Sequence, residues 1–286
     1  MKLKLSKLKW FTIETLFVYP LKFIIENLSR PLLVRVLQSI NSTGKLDFQE
    51  KEIIMGVKTV SELSRLRSCK KEPSTVKWVL RDLREGDVFF DIGANVGAYS
   101  LVAAISSKAN IAIYSFEPSP NTFASLCKNI SLNKLGEKIY PLQLALGAKT
   151  EVSKFFLSSN IAGSAEHALG EPVDMYGNKF TPVNVQTVIS VTMDEVIDIF
   201  GVFSPTHIKI DVDGFELNVL LGAKKVLSSD KLRHLLVEVR EDSNECGSIV
   251  ALLKSYNFRL VGKGYATSEG FANYEFEKKY AGLNKI

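Results

Sequence analysis

Between residues 88 and 276, short apolar runs alternate with longer amphipathic stretches, the pattern of a strand–helix repeat. Val88-Phe89-Phe90 predicts a short buried strand, with a helix over 98–105 behind it. Residues 111–116, 121–132 and 139–146 continue as strand, helix and strand. Residues 193–200 are predicted helical, Ile208-Lys209-Ile210 forms the fourth core strand with its helix over 215–227, and 235–239 is the fifth strand. A helix over 249–256 and strands at 258–261 and 274–276 close the series. This alternation implies an α/β, Rossmann-like fold: a mainly parallel sheet with helices on both faces. Right-handed crossovers then bring the C-terminal strand ends to one edge, where ligands bind.

The flanks read differently. Strand-like pieces at 152–157 and 183–188 enclose 158–181, which holds Gly163, Gly170, Pro172 and Gly177 and reads as a loop. The whole 147–191 stretch is long for a connection in a compact domain and points to a substrate lid. Residues 1–60 read as a helical N-terminal extension, broken near Pro20 and Pro31 and ending in a polar turn at Asn41-Ser42-Thr43-Gly44. The catalytic domain is expected over 61–286. A helix starting at Pro73, with Val76, Val79, Leu80 and Leu83 on its apolar side, should run to Glu85-Gly86.

The first strand ends in Asp91-Ile92-Gly93-Ala94-Asn95-Val96-Gly97. Its glycines permit a tight turn and a close backbone approach to a ligand. A dinucleotide fingerprint would need glycine where Asn95 and Ala98 stand, which argues against a nicotinamide-dependent oxidoreductase. Asp91 would repel a phosphate but suit an α-ammonium group, so an amino-acid-bearing cofactor fits better. Glu117, about 20 residues on, lies where an acidic side chain accepts ribose hydroxyls. Asp211, Asp213 and Glu216 follow the fourth strand and Glu238 ends the fifth. Gathered carboxylates raise one another's pKa, which makes a general base. Asp211 is the first candidate, with Asp213 or Glu238 behind it. His167 in the long loop is a further candidate base, and His207 should sit away from the edge. The same carboxylates could instead hold Mg²⁺ or Ca²⁺, although no histidine or firm ligand spacing supports a metal.

The segments Asp91 to Gly97, Phe116-Glu117-Pro118, Ile208 to Glu216 and Leu236-Val237-Glu238 resemble the FkbM family of S-adenosylmethionine (SAM)-dependent methyltransferases, over roughly 70–260 and in the family's order. Lys71-Glu72-Pro73-Ser74-Thr75 and Val191-Thr192-Met193-Asp194 resemble its lead-in and strand-to-helix step. Met193 replaces the family's leucine, and Asp213 stands where glutamate is common. The resemblance implies a class I methyltransferase fold with SAM as cofactor, and O-methylation of a sugar, glycan or secondary metabolite. It implies that Gly93, Ala94, Asn95 and Gly97 hold the methionine part of SAM, that Glu117 holds the ribose, and that Ala145 flanks the adenine. Glu72 would lie over the same mouth.

Composition narrows the remaining classes. With 286 residues, 46% of them hydrophobic, the chain can form one full-sized α/β domain plus an extension, and disorder is excluded. Cys69, Cys127 and Cys246 lie far apart without a CxxC pair, as expected of reduced thiols in a cytoplasmic protein. A net charge of +5 suits an acidic substrate or a membrane surface, but no dense Lys/Arg block marks a nucleic-acid partner. At the N-terminus, Lys2, Lys4, Lys7 and Lys9 precede an apolar stretch over 10–25, interrupted by Glu14, Pro20 and Lys22. This is neither a clean signal peptide nor long enough to span a membrane. Trp10, Ile13, Phe17 and Leu21 form one helical stripe. Packing on the catalytic domain or a second subunit is the first reading, since apolar stripes are usually core. Peripheral contact of residues 1–30 with an anionic membrane is the second. A non-catalytic, membrane-peripheral protein on a methyltransferase fold is the corresponding alternative to an enzyme.

Overall fold

Every residue of the strand Val88–Ile92 is buried, so its alternating side chains enter two cores. Phe90 and Ile92 join Phe116, Ile208, Ile210 and Val237 on one face. Phe89 joins Ile113, Ile139 and Leu236 on the other. That is the burial of a sheet covered on both sides.

The computed structural model describes residues 16, 18–40, 42–81, 83–264 and 270–279. The chain divides into two units, Met1–Ser42 and Thr43–Ile286. The first contains helices α1 (Tyr19–Glu26) and α2 (Arg30–Ser39). Pro20 and Pro31 sit in their first turns, where the missing N–H costs nothing, so each proline starts a helix. Of the N-terminal stripe, Trp10, Ile13 and Phe17 lie outside the described residues.

The second unit opens with strands β1 (Thr43–Lys45) and β2 (Ile54–Gly56), then helices α3 (Val60–Arg65), α4 (Ser68–Lys71) and α5 (Pro73–Leu80). The main repeat follows as β3 (Val88–Ile92), α6 (Ala98–Ser106), β4 (Ala112–Phe116), α7 (Pro120–Leu132) and β5 (Ile139–Leu142). Next come β6 (Ala145–Leu146), β7 (Glu151–Leu157), β8 (Ala168–Leu169), β9 (Asn184–Val191), α8 (Met193–Phe200) and β10 (His207–Ile210). The series closes with α9 (Glu216–Leu221), α10 (Lys224–Ser228), β11 (His234–Arg240), α11 (Asn244–Ser255), β12 (Phe258–Lys263) and β13 (Phe271–Lys278).

The seven-stranded sheet has the order β12-β13-β11-β10-β3-β4-β5. β11, β10, β3, β4 and β5 are parallel, whereas β13 is antiparallel to both β11 and β12. From β3 the chain winds outward to β5 and later returns to place β10 on the other side of β3. The strand order therefore reverses between β3 and β10, which opens a crevice at their C-terminal ends. Pro141 lies in β5, an edge strand, where a missing N–H is tolerated.

Several elements differ from the expected ones. Residues 43–56 are not helical: they form the β1–β2 hairpin, and Ile53 and Met55 join the core of Leu126 and Ile130. The helix from Pro73 stops at Leu80, where Arg81 turns extended and pairs with Glu275 at 3.2 Å. The expected strand over 139–146 is two strands in different sheets, because Ala145 pairs with Ser190 of β9. The expected helix over 215–227 breaks at Gly222, where a Cβ would meet the Gly147 carbonyl oxygen at 2.0 Å. The 145–191 stretch builds a second sheet of order β6-β9-β7-β8.

Candidate active site

The turns after β3 and β10 touch. A Cβ on Gly93 would lie 1.8 Å from the Asp211 carbonyl oxygen, and Gly93 has φ +77°. Only glycine permits this approach, which brings the β3 turn and the acidic β10 turn into one crevice.

Asp91 does not reach the crevice. It is fully buried beneath it, accepts a hydrogen bond from Ser100 Oγ at 2.5 Å, and lies 3.7 Å from Lys209 Nζ. Burial raises its pKa, with Lys209 and Ser100 acting against that. Lys209, also fully buried, donates to Asp211 Oδ2 at 2.9 Å. Burial alone would lower the Lys209 pKa, but Asp211, Asp91 and Glu72 outweigh it and hold the ammonium charged. The expected contact of Asp91 with a cofactor ammonium is thus displaced by an internal ion pair.

A cavity of about 360 Å³ occupies the crevice. Of the residues expected at the site, Gly93, Asn95, Glu117, Ala145, Asp211, Asp213 and Glu238 line it. Asp91, Ala94 and Gly97 stand behind this lining. Gly97 serves the fold: a Cβ there would lie 2.5 Å from Leu126 Cδ1. Glu117 accepts from the backbone N–H of Asn95 at 3.1 Å and of Ser119 at 2.8 Å. Burial pushes its carboxyl up to about 7 despite those two bonds. Asn95, read from sequence as a missing glycine and as a cofactor contact, also has a task within the fold. Its Nδ2 donates to the Ser164 carbonyl at 2.9 Å and ties the cofactor-type turn to the 158–181 stretch.

The carboxylates of the β10 turn and of β11 are in different states. Burial raises the Asp211 carboxyl, but the Lys209 charge and hydrogen bond prevail and hold it below its usual range. Burial and the nearby Asp211 charge push Asp213 up to about 6. Its Oδ2 accepts from the Glu166 N–H at 2.8 Å, and it stands at φ +54° before Gly214 at +95°. Glu216 accepts from Val212 N at 3.0 Å and Gly214 N at 3.2 Å, which braces this turn from behind. Glu238 is pushed up to about 10 by burial and by Asp211, Glu216, Glu72 and Asp213. It is therefore a neutral acid near pH 7, unsuited to the proton-accepting role expected of it.

A larger cavity of about 840 Å³ shares Asp213, His167, Leu169, Met175 and Phe215 with the first. His167 Nδ1 accepts from Ser158 N at 3.3 Å, and its buried Nε2 has no hydrogen-bond partner among the described residues. Burial lowers its pKa to about 4, so the ring is neutral. A backbone N–H can only donate, so Nδ1 carries the lone pair and Nε2 the proton. His167 presents a donor here, and in this state Nε2 cannot act as a base. His207, as expected, lies at the opposite end of the sheet, beside Asp87.

Sequence reading missed Arg65, which lines the smaller cavity from α3 and donates from Nε to the Gly163 carbonyl at 3.1 Å. No local motif marks it; its place depends on the fold. Glu72 also lines the cavity, with Oε2 accepting from Thr75 Oγ1 at 3.1 Å. Among the described residues no group of three or more His, Cys, Asp and Glu side chains could hold a metal ion.

These features accord with the relatives of the chain. Residues 91–260, more than half of its length, match the methyltransferase FkbM domain. The chain is 29% identical over 184 residues to hexuronic acid methyltransferase AglP of Haloferax volcanii, covering 64% of this chain and 68% of the relative. It is 26% identical over 200 residues to 31-O-demethyl-FK506 methyltransferase FkbM of Streptomyces tacrolimicus, covering 64% and 76%. The crystal structure of methyltransferase FkbM from Methylobacillus flagellatus shares the fold, with a TM-score of 0.50 at 16% identity, over 69% of this chain and 45% of that one. The chain belongs to the FkbM family and is a SAM-dependent methyltransferase.

Proposed function

We propose that the protein methylates a hydroxyl of a sugar, glycan or secondary metabolite, with Asp213 as the proton acceptor. The carrying observation is that Asp213 stands at the junction of the two cavities with its carboxyl pushed up to about 6. A base is most effective when its pKa lies just below the working pH. Asp211 is the poorer base, because Lys209 stabilises its ionised form. The names of two relatives, one for a hexuronic acid and one for a demethylated oxygen of FK506, support an oxygen acceptor of this class.

The smaller cavity suits SAM. Glu117 is placed to accept from ribose hydroxyls, and Ala145 lies with Leu144 and Leu146 on an apolar wall for the adenine. Glu72 is the carboxylate available to an ammonium group, in place of Asp91, and Arg65 and Lys71 are the cations available to a carboxylate. When bound, SAM supplies an electrophilic methyl group on a sulfonium. The chain's own residues align the acceptor, exclude water and remove one proton. At the junction, Asp213 accepts the hydroxyl proton.

Asp213→Asn should lower kcat by about 10²–10⁴-fold with SAM affinity nearly unchanged. The acid limb of the wild-type kcat profile, centred near pH 6, should vanish in that variant. Retention of the limb would remove Asp213 from the role. A methyl-transfer screen against sugars, nucleotide sugars and lipid-linked glycans, read by product mass, tests the acceptor class. Exclusive methylation of nitrogen would overturn the reading.

A further inference from the structure

Helix α1 leaves Tyr19, Leu21, Phe23 and Ile24 between 57% and 68% exposed and buries none of its residues. At 100° per residue, Lys22 and Glu26 share one narrow strip, joined by an ion pair of 3.7 Å, and apolar residues occupy the rest of the circumference. Helix α2 adds Leu32 and Val34 at 47% and 50% exposure, on the same short helix as Arg30 and Arg35. Exposed apolar side chains in this number on two short helices mark a contact surface.

Charge identifies what covers it. Residues 1–40 contain seven Lys or Arg and two Asp or Glu, a net +5 that equals the formal charge of the whole chain. The remaining residues are balanced. Concentrated positive charge beside exposed aromatic and aliphatic side chains complements an anionic lipid surface. A second copy would bring two cationic segments together, and their repulsion disfavours it. Among the described residues no helix is long and apolar enough to cross a membrane. Helices of this length can instead lie in the interfacial plane, with Lys22, Arg30 and Arg35 reaching headgroup phosphates.

We infer that α1 and α2 dock the protein on a bilayer that carries anionic phospholipid. The inference stands on the first unit and is independent of the acceptor. Flotation of the full chain with phosphatidylcholine vesicles, with and without about one-third phosphatidylglycerol, tests it. Binding should rise at least about tenfold on the anionic vesicles and fall at high salt. The triple variant Leu21→Ser/Phe23→Ser/Ile24→Ser should lose vesicle binding and keep SAM binding. Lys22→Gln/Arg30→Gln/Arg35→Gln should weaken the preference for anionic vesicles while leaving the apolar face unchanged. Equal binding to both vesicle types, or none to either, overturns the proposal. So does a dimer in sedimentation velocity that dissociates in the triple serine variant without any lipid dependence.

Discussion

Asp91 and Asp213 are both aspartates at C-terminal strand ends, yet their surroundings give them opposite uses. Asp91 is sealed with Ser100 and Lys209 and helps fix the buried charge that keeps Asp211 ionised. Asp213 faces both cavities with one oxygen held by a backbone N–H. Glu117 carries a pH signature of its own. Its carboxyl, pushed up to about 7, loses acceptor capacity as it protonates, so SAM should bind more weakly below pH 7. Calorimetric titration at several pH values should show that trend, flattened in Glu117→Gln; an unchanged pH dependence in the variant would place the effect elsewhere. His167 is expected to show the Nε2–H tautomer in ¹⁵N NMR and to stay neutral down to about pH 5, given a pKa lowered to about 4. A titration near the ordinary histidine value of about 6.5 would contradict its burial. For Glu238, the folded pKa near 10 exceeds the ordinary 4.5, so the folded chain keeps a proton that the unfolded chain releases. The stability linked to that proton is complete below pH 4.5 and lost as pH rises through 10. Glu238→Gln should therefore gain on the wild type in denaturant melts as pH rises from 5 to 9. The sequence displayed all five of these side chains, but not their protonation, which depends on neighbours far away in the chain.

At the scale of elements, hydrophobic periodicity located β3, α6, β4, α7, α8, β10 and β11 closely. In each, the apolar spacing of the segment matches the face it buries. The mismatches come from backbone contacts that a local pattern cannot register. At Gly222, just past the end of α9, the Gly147 carbonyl lies where a Cβ would be, at 2.0 Å. Gly222→Ala should cost about 1–3 kcal/mol in chemical denaturation, as overpacking against a fixed backbone does. Gly136 meets no heavy atom within 4 Å and has no positive φ, so Gly136→Ala should be neutral or stabilising by up to about 1 kcal/mol. Equal costs at the two positions would refute the steric account. The 158–181 stretch was legible as a long, glycine-containing connection. Its partial order comes from pairings invisible in its own composition: β8 on β7, and Asn95 Nδ2 on the Ser164 carbonyl.

At the scale of the whole molecule, the chain separates into a small basic helical unit and an α/β unit with a seven-stranded sheet. The expected division at residue 60 and the observed one at Ser42 differ because Ile53 and Met55 are buried against α7, which begins at Pro120. The N-terminal stripe could be read as core or as a lipid-facing surface, since helical periodicity is the same for both. Leu21 and Phe23 are exposed, and the vesicle and sedimentation experiments above separate the two readings. The sequence by itself determined the parallel α/β architecture, the family and the acidic strand ends, because periodicity and ordered motifs are properties of neighbouring residues. Only the tertiary structure decided which carboxylate is paired with Lys209, which stays protonated and which faces both cavities. Those states depend on desolvation and on charges brought together from β3, β4, β10 and β11, and no local sequence pattern encodes either.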